Sequence, residues 1–178
     1  MTHRLALALV LPLLLVAGCS EDEPNPPDQA ASPSAPDVDY PGEGVDLVDR
    51  PELKGAYEKA LQTYVDFERG RRQAAREGAV GPLLSFNATA SVVEPYRKAI
   101  AAYADGRYDG DVAIEFLAAR PRDTVLVLDI CVDATQLVVP DGAPTLLGEA
   151  TRAPQRIQVT NILGPWRVTK AEPVAGSC

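Results

Sequence analysis

Residues 124–133 read TVLVLDICVD, a pattern that predicts a long β-strand. Successive side chains of a strand point to opposite faces of the sheet. One face therefore carries Leu126, Leu128, Ile130 and Val132. The other face carries Val125, Val127, Asp129, Cys131 and Asp133. We expect the first face to be buried beneath helices and the second to point away from them.

Further alternating segments surround this strand and predict an antiparallel sheet. They are residues 112–116, residues 156–163 and residues 166–172, the last two forming a hairpin through Gly164 and Pro165. Residues 135–139 are interpreted as a continuation of the long strand past a bend. Residues 141–154 are rich in turn-forming residues and predict a loop.

Two amphipathic helices are predicted before the strands. The first starts near Pro51, continues through the basic stretch 69–76 and ends by Gly78, with a buried stripe of Leu53, Tyr57, Leu61, Tyr64 and Phe67. The second starts between residues 91 and 95, and its buried stripe is Val93, Tyr96, Ile100 and Tyr103. Helices followed by antiparallel strands predict one α+β domain over residues 50–178, with two N-terminal helices packed on a sheet of four to five strands.

The start of the chain predicts export and a lipid anchor. Residues 5–16 form an apolar run of the length of a signal-peptide core, too short to span a bilayer. The ending Val16-Ala17-Gly18-Cys19 resembles the lipobox of bacterial lipoproteins. The resemblance implies that residues 1–18 are a signal peptide and that Cys19 is acylated, which places the protein at the extracytoplasmic face of the cell membrane. A plain signal peptide followed by a chance cysteine is the alternative.

Residues 19–49 predict a disordered tether between the acylated cysteine and the domain. Residues 20–49 contain nine of the 25 acidic residues of the chain and no Lys or Arg. Acidic, proline-rich segments without large apolar residues do not bury enough surface to fold. The remaining domain is close to neutral, which argues against nucleic acid as a partner, because phosphate binding requires a basic face.

The residue inventory also limits the chemistry of the domain. The only histidine is His3, within the predicted signal peptide, so catalytic triads and metal sites that need histidine are excluded from the mature chain. Cys131 and Cys178 are the two cysteines beyond the anchor, and an exported domain most simply pairs them in a disulfide. Two free thiols are the alternative. We predict no metal site and no cofactor.

The lipobox, the acidic tether, the two helices, the segment 129–133 and the ending 166–170 with its terminal cysteine together resemble a known family. They are similar to small actinobacterial lipoproteins with a nuclear-transport-factor-2-like (cystatin-like) domain over residues 51–178. The resemblance implies a curved sheet wrapped around helices, a cone with an apolar pocket. The superfamily includes isomerases, cyclases and non-catalytic domains, so the fold by itself assigns no activity.

Two classes of function follow. The first is a non-catalytic binding or scaffold domain that holds an apolar small molecule or another envelope protein, with Tyr57, Tyr64, Tyr96 and Trp166 as candidate ligand-binding residues. The alternative for these aromatic residues is a role in the core. The second is a ketosteroid-isomerase-like or cyclase/dehydratase-like enzyme that uses Asp129 or Asp133 with a tyrosine. Because strand alternation places both aspartates on the face of Cys131, we predict that the domain is not an enzyme.

Overall fold

The computed structural model describes residues 44–103 and 108–178. The predicted signal peptide, Cys19 and the tether as far as residue 43 lie outside the described residues. The elements in chain order are β1 (Val45–Val48), α1 (Ala56–Glu77), α2 (Pro82–Asn87), α3 (Ala90–Ala102), β2 (Val112–Arg122), β3 (Val125–Asp133), a 3₁₀ turn (Thr145–Leu147), β4 (Arg152–Asn161) and β5 (Trp166–Pro173).

The five strands form one sheet whose spatial order, β1-β2-β3-β4-β5, follows the chain. β2 to β5 pair in antiparallel fashion, and β2 contains an irregularity between Phe116 and Ala118. β1 instead pairs in parallel with β2, with Val45 opposite Val112. The α+β class and the number of strands agree with the prediction. The wholly antiparallel sheet was wrong, because β1 makes the sheet mixed.

The prediction of two N-terminal helices needs two corrections. Within residues 44–178, as far as they are described, β1 precedes the three helices, and it lies in the range 19–49 that the sequence assigns to the tether. Between the two predicted helices the described chain also forms α2, a helix of six residues that Pro82 opens after Gly81. A helix of this length carries too few turns to show a helical period in the sequence.

The bounds of α1 and α3 differ slightly from the predicted ones. α1 begins at Ala56, later than the predicted start near Pro51, and ends at Glu77. The next residue, Gly78, has a left-handed backbone (φ 72°), and its N–H donates to the Ala74 carbonyl at 2.9 Å. α3 begins at Ala90, slightly earlier than predicted, and contains Pro95 within the helix.

A close approach between α1 and α2 depends on Gly70. A Cβ atom at this position would lie 2.5 Å from the backbone nitrogen of Leu84, which is itself fully buried. Only a residue without a side chain leaves room for the two helices at this distance.

The predicted faces of β3 agree with the structure. Leu128 and Ile130 are fully buried and belong to one core with Tyr64 and Phe67 of α1. On the opposite face Cys131 is buried as well, since it is bonded to Cys178 and lies between its cross-strand neighbours on β2 and β4. The predicted strand over residues 135–139 is not formed; one isolated bridge joins Asp109 to Val138 there.

The loop and hairpin predictions agree with the structure apart from their ends. The loop contains the 3₁₀ turn, and β4 begins at Arg152, inside the segment predicted as loop. Among the described residues, no helix combines the length and the apolar character that crossing a bilayer requires.

Candidate functional site: a charged cavity between the helices and the sheet

A cavity of about 370 Å³ lies between α1, the sheet and the loop that joins β3 to β4. α1 contributes three charged residues to its wall, Glu68, Arg71 and Arg72, and α3 contributes Tyr96. The sheet and the end of β3 contribute an apolar wall of Val112, Val132, Ala134, Leu137, Ala153 and Ala171. The volume is within the usual range of sites for small molecules.

Glu68, Arg71 and Arg72 line the cavity because they lie on the same side of α1 as its buried apolar residues. Tyr64 and Glu68 are four residues apart, and Arg71 and Arg72 follow Glu68 by three and four, so all of them lie on one side of the helix. Glu68 is 1% exposed and Arg72 is 3% exposed, while the Arg71 side chain is 10% exposed. Charged residues are rarely buried to this extent unless they are paired.

Glu68 is held by two donors through one oxygen. Its Oε1 accepts a hydrogen bond from Arg71 Nη1 at 2.5 Å and another from the Tyr64 hydroxyl at 3.3 Å. The other oxygen, Oε2, is buried and has no hydrogen-bond partner among the described residues, and the same holds for Arg71 Nε.

The Arg71 guanidinium also stacks against aromatic rings. Its Cζ lies 5.0 Å from the ring centre of Tyr96 and 5.8 Å from that of Phe67. Both distances are in the range of cation–π attraction. The ion pair and the rings together hold Arg71 in one position at the cavity wall.

The pKa values of Arg71, Arg72 and Tyr64 are shifted by burial and by their charged neighbours. Burial lowers the pKa of Arg71, but the Glu68 carboxylate, Tyr96 and Tyr64 outweigh it and raise that pKa above its usual value. Burial and the neighbouring Arg71 guanidinium lower the pKa of Arg72 to about 10, although Glu68 opposes the change. Burial and Glu68 raise the pKa of Tyr64 well above its usual value. At neutral pH both arginines are therefore charged and Tyr64 keeps its proton.

The loop that covers one side of the cavity is held by hydrogen bonds to its carbonyl groups. The Tyr103 hydroxyl donates to the Asp141 carbonyl at 3.0 Å, and the Tyr108 hydroxyl donates to the Pro144 carbonyl at 3.3 Å. Gly148 follows the 3₁₀ turn with a φ of 132°, and a Cβ atom there would lie 2.9 Å from Arg72 Nη1. A glycine is needed at this position both for its backbone and for the packing of Arg72.

Of the four predicted ligand-binding residues, the structure places Tyr96 in the cavity wall. Tyr64 is fully buried in the core and contacts the site through Glu68. Tyr57 and Trp166 are half-buried and do not line this cavity. The four residues are therefore not brought together.

Asp129 and Asp133 lie outside the cavity, on the face of the sheet predicted from strand alternation. Asp129 pairs with Arg120 and, at 2.8 Å, with Arg156. The hydrogen bond from Arg120 does most to lower the pKa of Asp129 below its usual value. Hydrogen bonds from Thr135 do most to lower the pKa of Asp133.

The same outer face carries the cysteine pair. The sulfur atoms of Cys131 and Cys178 are 2.05 Å apart, the distance of a disulfide bond, as the prediction of their pairing requires. Arg152 lies beside the pair: its Nε donates to the Cys178 carbonyl at 3.0 Å, and its two terminal nitrogens donate to Glu115 and Asp133.

Sequence reasoning did not single out Glu68, Arg71 and Arg72, the charged residues that α1 contributes to the cavity. The basic residues of the stretch 69–76 predict the C-terminal end of a helix, not the wall of a site. A signal was present, because extending the stripe of Leu61 and Tyr64 by the helical period leads to Glu68 and then to Arg71 and Arg72.

The described parts of the chain contain no cluster of three acidic, histidine or cysteine side chains that would hold a metal ion. No family model matches the sequence, and no curated protein sequence matches it. The functional interpretation therefore depends on the chemistry of the cavity itself.

Proposed function

We propose that this protein is a lipid-anchored, extracytoplasmic binding protein of the cell envelope, and that its domain holds a small molecule in the cavity without chemically changing it. Cys19 is the anchor, and residues 20–43 are the tether that joins it to the domain. The observation that carries the binding function is the cavity of about 370 Å³, with apolar walls on the sheet and buried charged groups on α1. Cavities that combine apolar walls with a few polar groups are typical of ligand sites.

A non-catalytic role is supported by the state of the acidic groups. Asp129 and Asp133, the carboxylates of the alternative enzyme hypothesis, lie on the outer face of the sheet with arginine partners. Glu68 is the buried carboxylate of the cavity, and Arg71 and Tyr64 both donate to its Oε1. These contacts place Glu68 in an ion pair that holds Arg71 in the wall, so the described residues of the cavity favour binding over acid–base catalysis.

Native mass spectrometry of the full chain carrying Cys19→Ser tests the binding function. The substitution removes the predicted acylation site, so that detergent is not needed and does not occupy the cavity. We expect an added mass on the protein as isolated, which solvent extraction then identifies.

A cavity-filling variant and a matched control locate the bound molecule. Ala153 lines the cavity, so Ala153→Trp should abolish the added mass. Ala118 is exposed on β2 and does not line it, so Ala118→Trp should retain the added mass. A chain that carries no added mass as isolated would contradict the proposed function.

A further inference from the structure

We propose that the tip of the β4–β5 hairpin inserts its apolar side chains into the surface of a lipid bilayer. The tip consists of Ile162, Leu163, Gly164 and Pro165, which join the end of β4 to the start of β5. None of these residues lines the cavity. The proposal therefore goes beyond ligand binding and gives the domain a membrane contact of its own, in addition to the proposed anchor.

The exposure of Leu163 is the first observation that points to a contact outside the domain. Its side chain is fully exposed to solvent, and the adjacent Ile162 is exposed as well. The hydrophobic effect favours removal of such side chains from water, and folding does not achieve this here. Single exposed apolar residues are common on protein surfaces, so the conformation of Leu163 is needed as a second observation.

The backbone of Leu163 has a conformation that disfavours leucine. Its φ is 54°, in the left-handed region, where a Cβ atom comes close to the following carbonyl oxygen. Two hydrogen bonds close the turn, from the Gly164 N–H to Asn161 Oδ1 at 2.9 Å and from the Ile162 N–H to the Pro165 carbonyl at 2.8 Å. Neither bond uses the Leu163 side chain. Glycine or asparagine would suit this position better, so the turn itself does not account for a leucine.

Aromatic residues extend the apolar surface of the tip. Trp166 is half-buried at the base of the hairpin, and Phe86 is exposed in the last turn of α2. Arg167 of β5 donates to the carbonyls of Ser85 and Ala88, at 3.1 and 3.2 Å, and so holds the end of α2 beside the start of β5. Aromatic and large aliphatic side chains are the ones that favour the interfacial region of a bilayer.

The hairpin end is free of charged side chains. Residues 157–166 contain none, and the charged residues that flank this segment, Arg156 and Arg167, are both basic. A charge in the apolar part of a bilayer is costly, so its absence here permits insertion. The adjacent turn between β2 and β3 carries one residue of each sign, Arg122 and Asp123. We therefore expect insertion to require apolar contact and not anionic lipid.

A bilayer fits the tip better than a protein partner does. A stable protein interface uses roughly 20–30 residues on each side. The apolar surface described here is a projecting turn with few side chains around it. A bilayer surface needs no complementary shape, and it accepts a small apolar turn to the depth that the turn can reach.

The chain is long enough for the tip to reach the membrane that holds the proposed anchor at Cys19. The domain begins at β1, where Val45 pairs with Val112 at the start of β2, whereas the tip lies at the other end of the sheet. β4, with ten residues, spans about 33 Å. Residues 20–43 can span at most about 80 Å when fully extended, more than twice that length. This step rests on the proposed anchor, and the experiment below does not.

Fluorescence quenching in the Cys19→Ser chain tests insertion separately from acylation. The probe is a vesicle of phosphatidylcholine with bromine atoms on its acyl chains, which quench tryptophan on contact. Trp166 is the single tryptophan of the chain, so quenching reports contact of the hairpin itself, whatever else holds the chain to the vesicle. We expect Trp166 to be quenched at millimolar lipid.

Leu163→Asn and Leu117→Asn form a matched pair of variants. Leu117 is likewise an exposed leucine, but it lies on β2 and not at the tip. Leu163→Asn should raise the lipid concentration for half-maximal quenching about tenfold, the order expected when a leucine no longer leaves water. Leu117→Asn should leave it unchanged. Because asparagine adopts a left-handed backbone readily, Leu163→Asn should keep or raise the melting temperature, which separates lost insertion from misfolding.

The outcomes decide the role of the tip without involving the cavity. Absence of Trp166 quenching in the Cys19→Ser chain would overturn the proposal. Equal quenching of the original residue and Leu163→Asn, or an equal loss in Leu117→Asn, would also overturn it, since the contact would then not depend on the tip. Each of these results would leave the proposed function standing, because added mass tests the cavity and detergent partitioning tests Cys19.

Discussion

Glu68 compensates the positive charge of the cavity wall, and its removal leaves two arginines close together. The Glu68 side chain is 1% exposed and lies 2.5 Å from Arg71 Nη1. Glu68→Gln should lower the free energy of unfolding by about 3 kcal/mol, because it leaves a buried guanidinium without its counter-ion. Urea unfolding at pH 7 measures the change.

Glu77→Gln on the same helix is the control for this substitution. Glu77 is exposed and accepts a hydrogen bond from Gln73 at 2.9 Å. Its replacement should change the unfolding free energy by less than about 0.5 kcal/mol. Equal effects of the two substitutions would contradict the role given to Glu68.

We expect the protein to lose stability in acid because of Asp129 and Asp133, on the face of the sheet that points away from the helices. Arginine and threonine partners hold the pKa values of Asp129 and Asp133 below their usual value in the folded protein. A carboxyl group with a lowered folded-state pKa stabilises the fold above its unfolded-state pKa, and this contribution is lost as the pH falls through the folded-state value. The melting temperature should therefore fall as the pH is lowered below about 4.

The substitution Asp129→Asn measures the contribution of the Asp129 carboxylate to stability. At pH 7 the variant should be less stable than the original protein by about 1 kcal/mol, because Arg120 and Arg156 lose their partner. The difference should begin to shrink as the pH falls below about 4, because the unfolded chain then takes up a proton at this residue while partners hold the pKa of the folded carboxyl lower. A difference that stays constant between pH 7 and pH 3, measured by urea unfolding, would show that ionisation of Asp129 is not its source.

At the scale of elements, the disulfide ties β3 to the segment after β5. Cys131 and Cys178 are 47 residues apart in sequence. A crosslink across a loop of this length stabilises by about 4 kcal/mol in the chain-entropy model. Reduction should lower the melting temperature, and Cys178→Ala should lower it equally.

Two measurements check this pairing. Neither cysteine should react with an alkylating reagent in the folded, unreduced protein. Reduction of the Cys178→Ala variant should produce no further change in its melting temperature. Rapid alkylation of the intact protein would show that the thiols are free.

The contact between α1 and α2 predicts an unusual response to a helix-favouring substitution. Alanine in place of glycine inside a helix ordinarily stabilises it by about 1 kcal/mol. At Gly70 the added Cβ would lie 2.5 Å from the Leu84 backbone nitrogen, so Gly70→Ala should instead destabilise by about 2 kcal/mol.

Gly81→Ala provides the comparison for Gly70→Ala. A Cβ atom at Gly81 would have no neighbour nearer than the Gln73 side chain at 3.8 Å. Its effect on unfolding in urea should stay below about 0.5 kcal/mol. Stabilisation by Gly70→Ala would mean that the two helices are further apart than the structure places them.

At the scale of the whole molecule, the proposed anchor at Cys19 would control where the domain is held. If Cys19 carries acyl chains, the original protein should enter the detergent phase in phase partitioning, because two or more chains give stable membrane attachment. Cys19→Ser should move it to the aqueous phase. The Cys178→Ala variant, which keeps the anchor, should stay with the detergent. Unchanged partitioning of Cys19→Ser would exclude acylation at this residue.

The parts of the fold that could be predicted are those that local rules determine. Alternation in β3 identified the buried face of Leu128 and Ile130, because the direction of a strand side chain depends only on its position. β1 was missed because its four residues pair with a partner more than 60 residues away in the chain. A short strand of this kind carries no pattern that distinguishes it from an extended linker.

The candidate site was predictable only in part. Tyr96 was identified from the apolar stripe of α3, and it lines the cavity. Glu68 and Arg72 were not, because a charged residue in a sequence is normally assigned to the solvent-facing side of a helix. Their burial depends on the sheet and the loop that enclose them, which are distant in sequence.

The pairing of β1 predicts that the sheet forms in two steps. β2 to β5 are neighbours both along the chain and in the sheet, whereas Val45 meets Val112 only after three helices have intervened. Contacts between distant residues form late, because a long loop must close first. We therefore expect β1 to join the sheet last and to detach first. While it is detached, the Val112 N–H, which otherwise donates to the Gly44 carbonyl at 2.9 Å, lies on an open edge to which another extended chain can add.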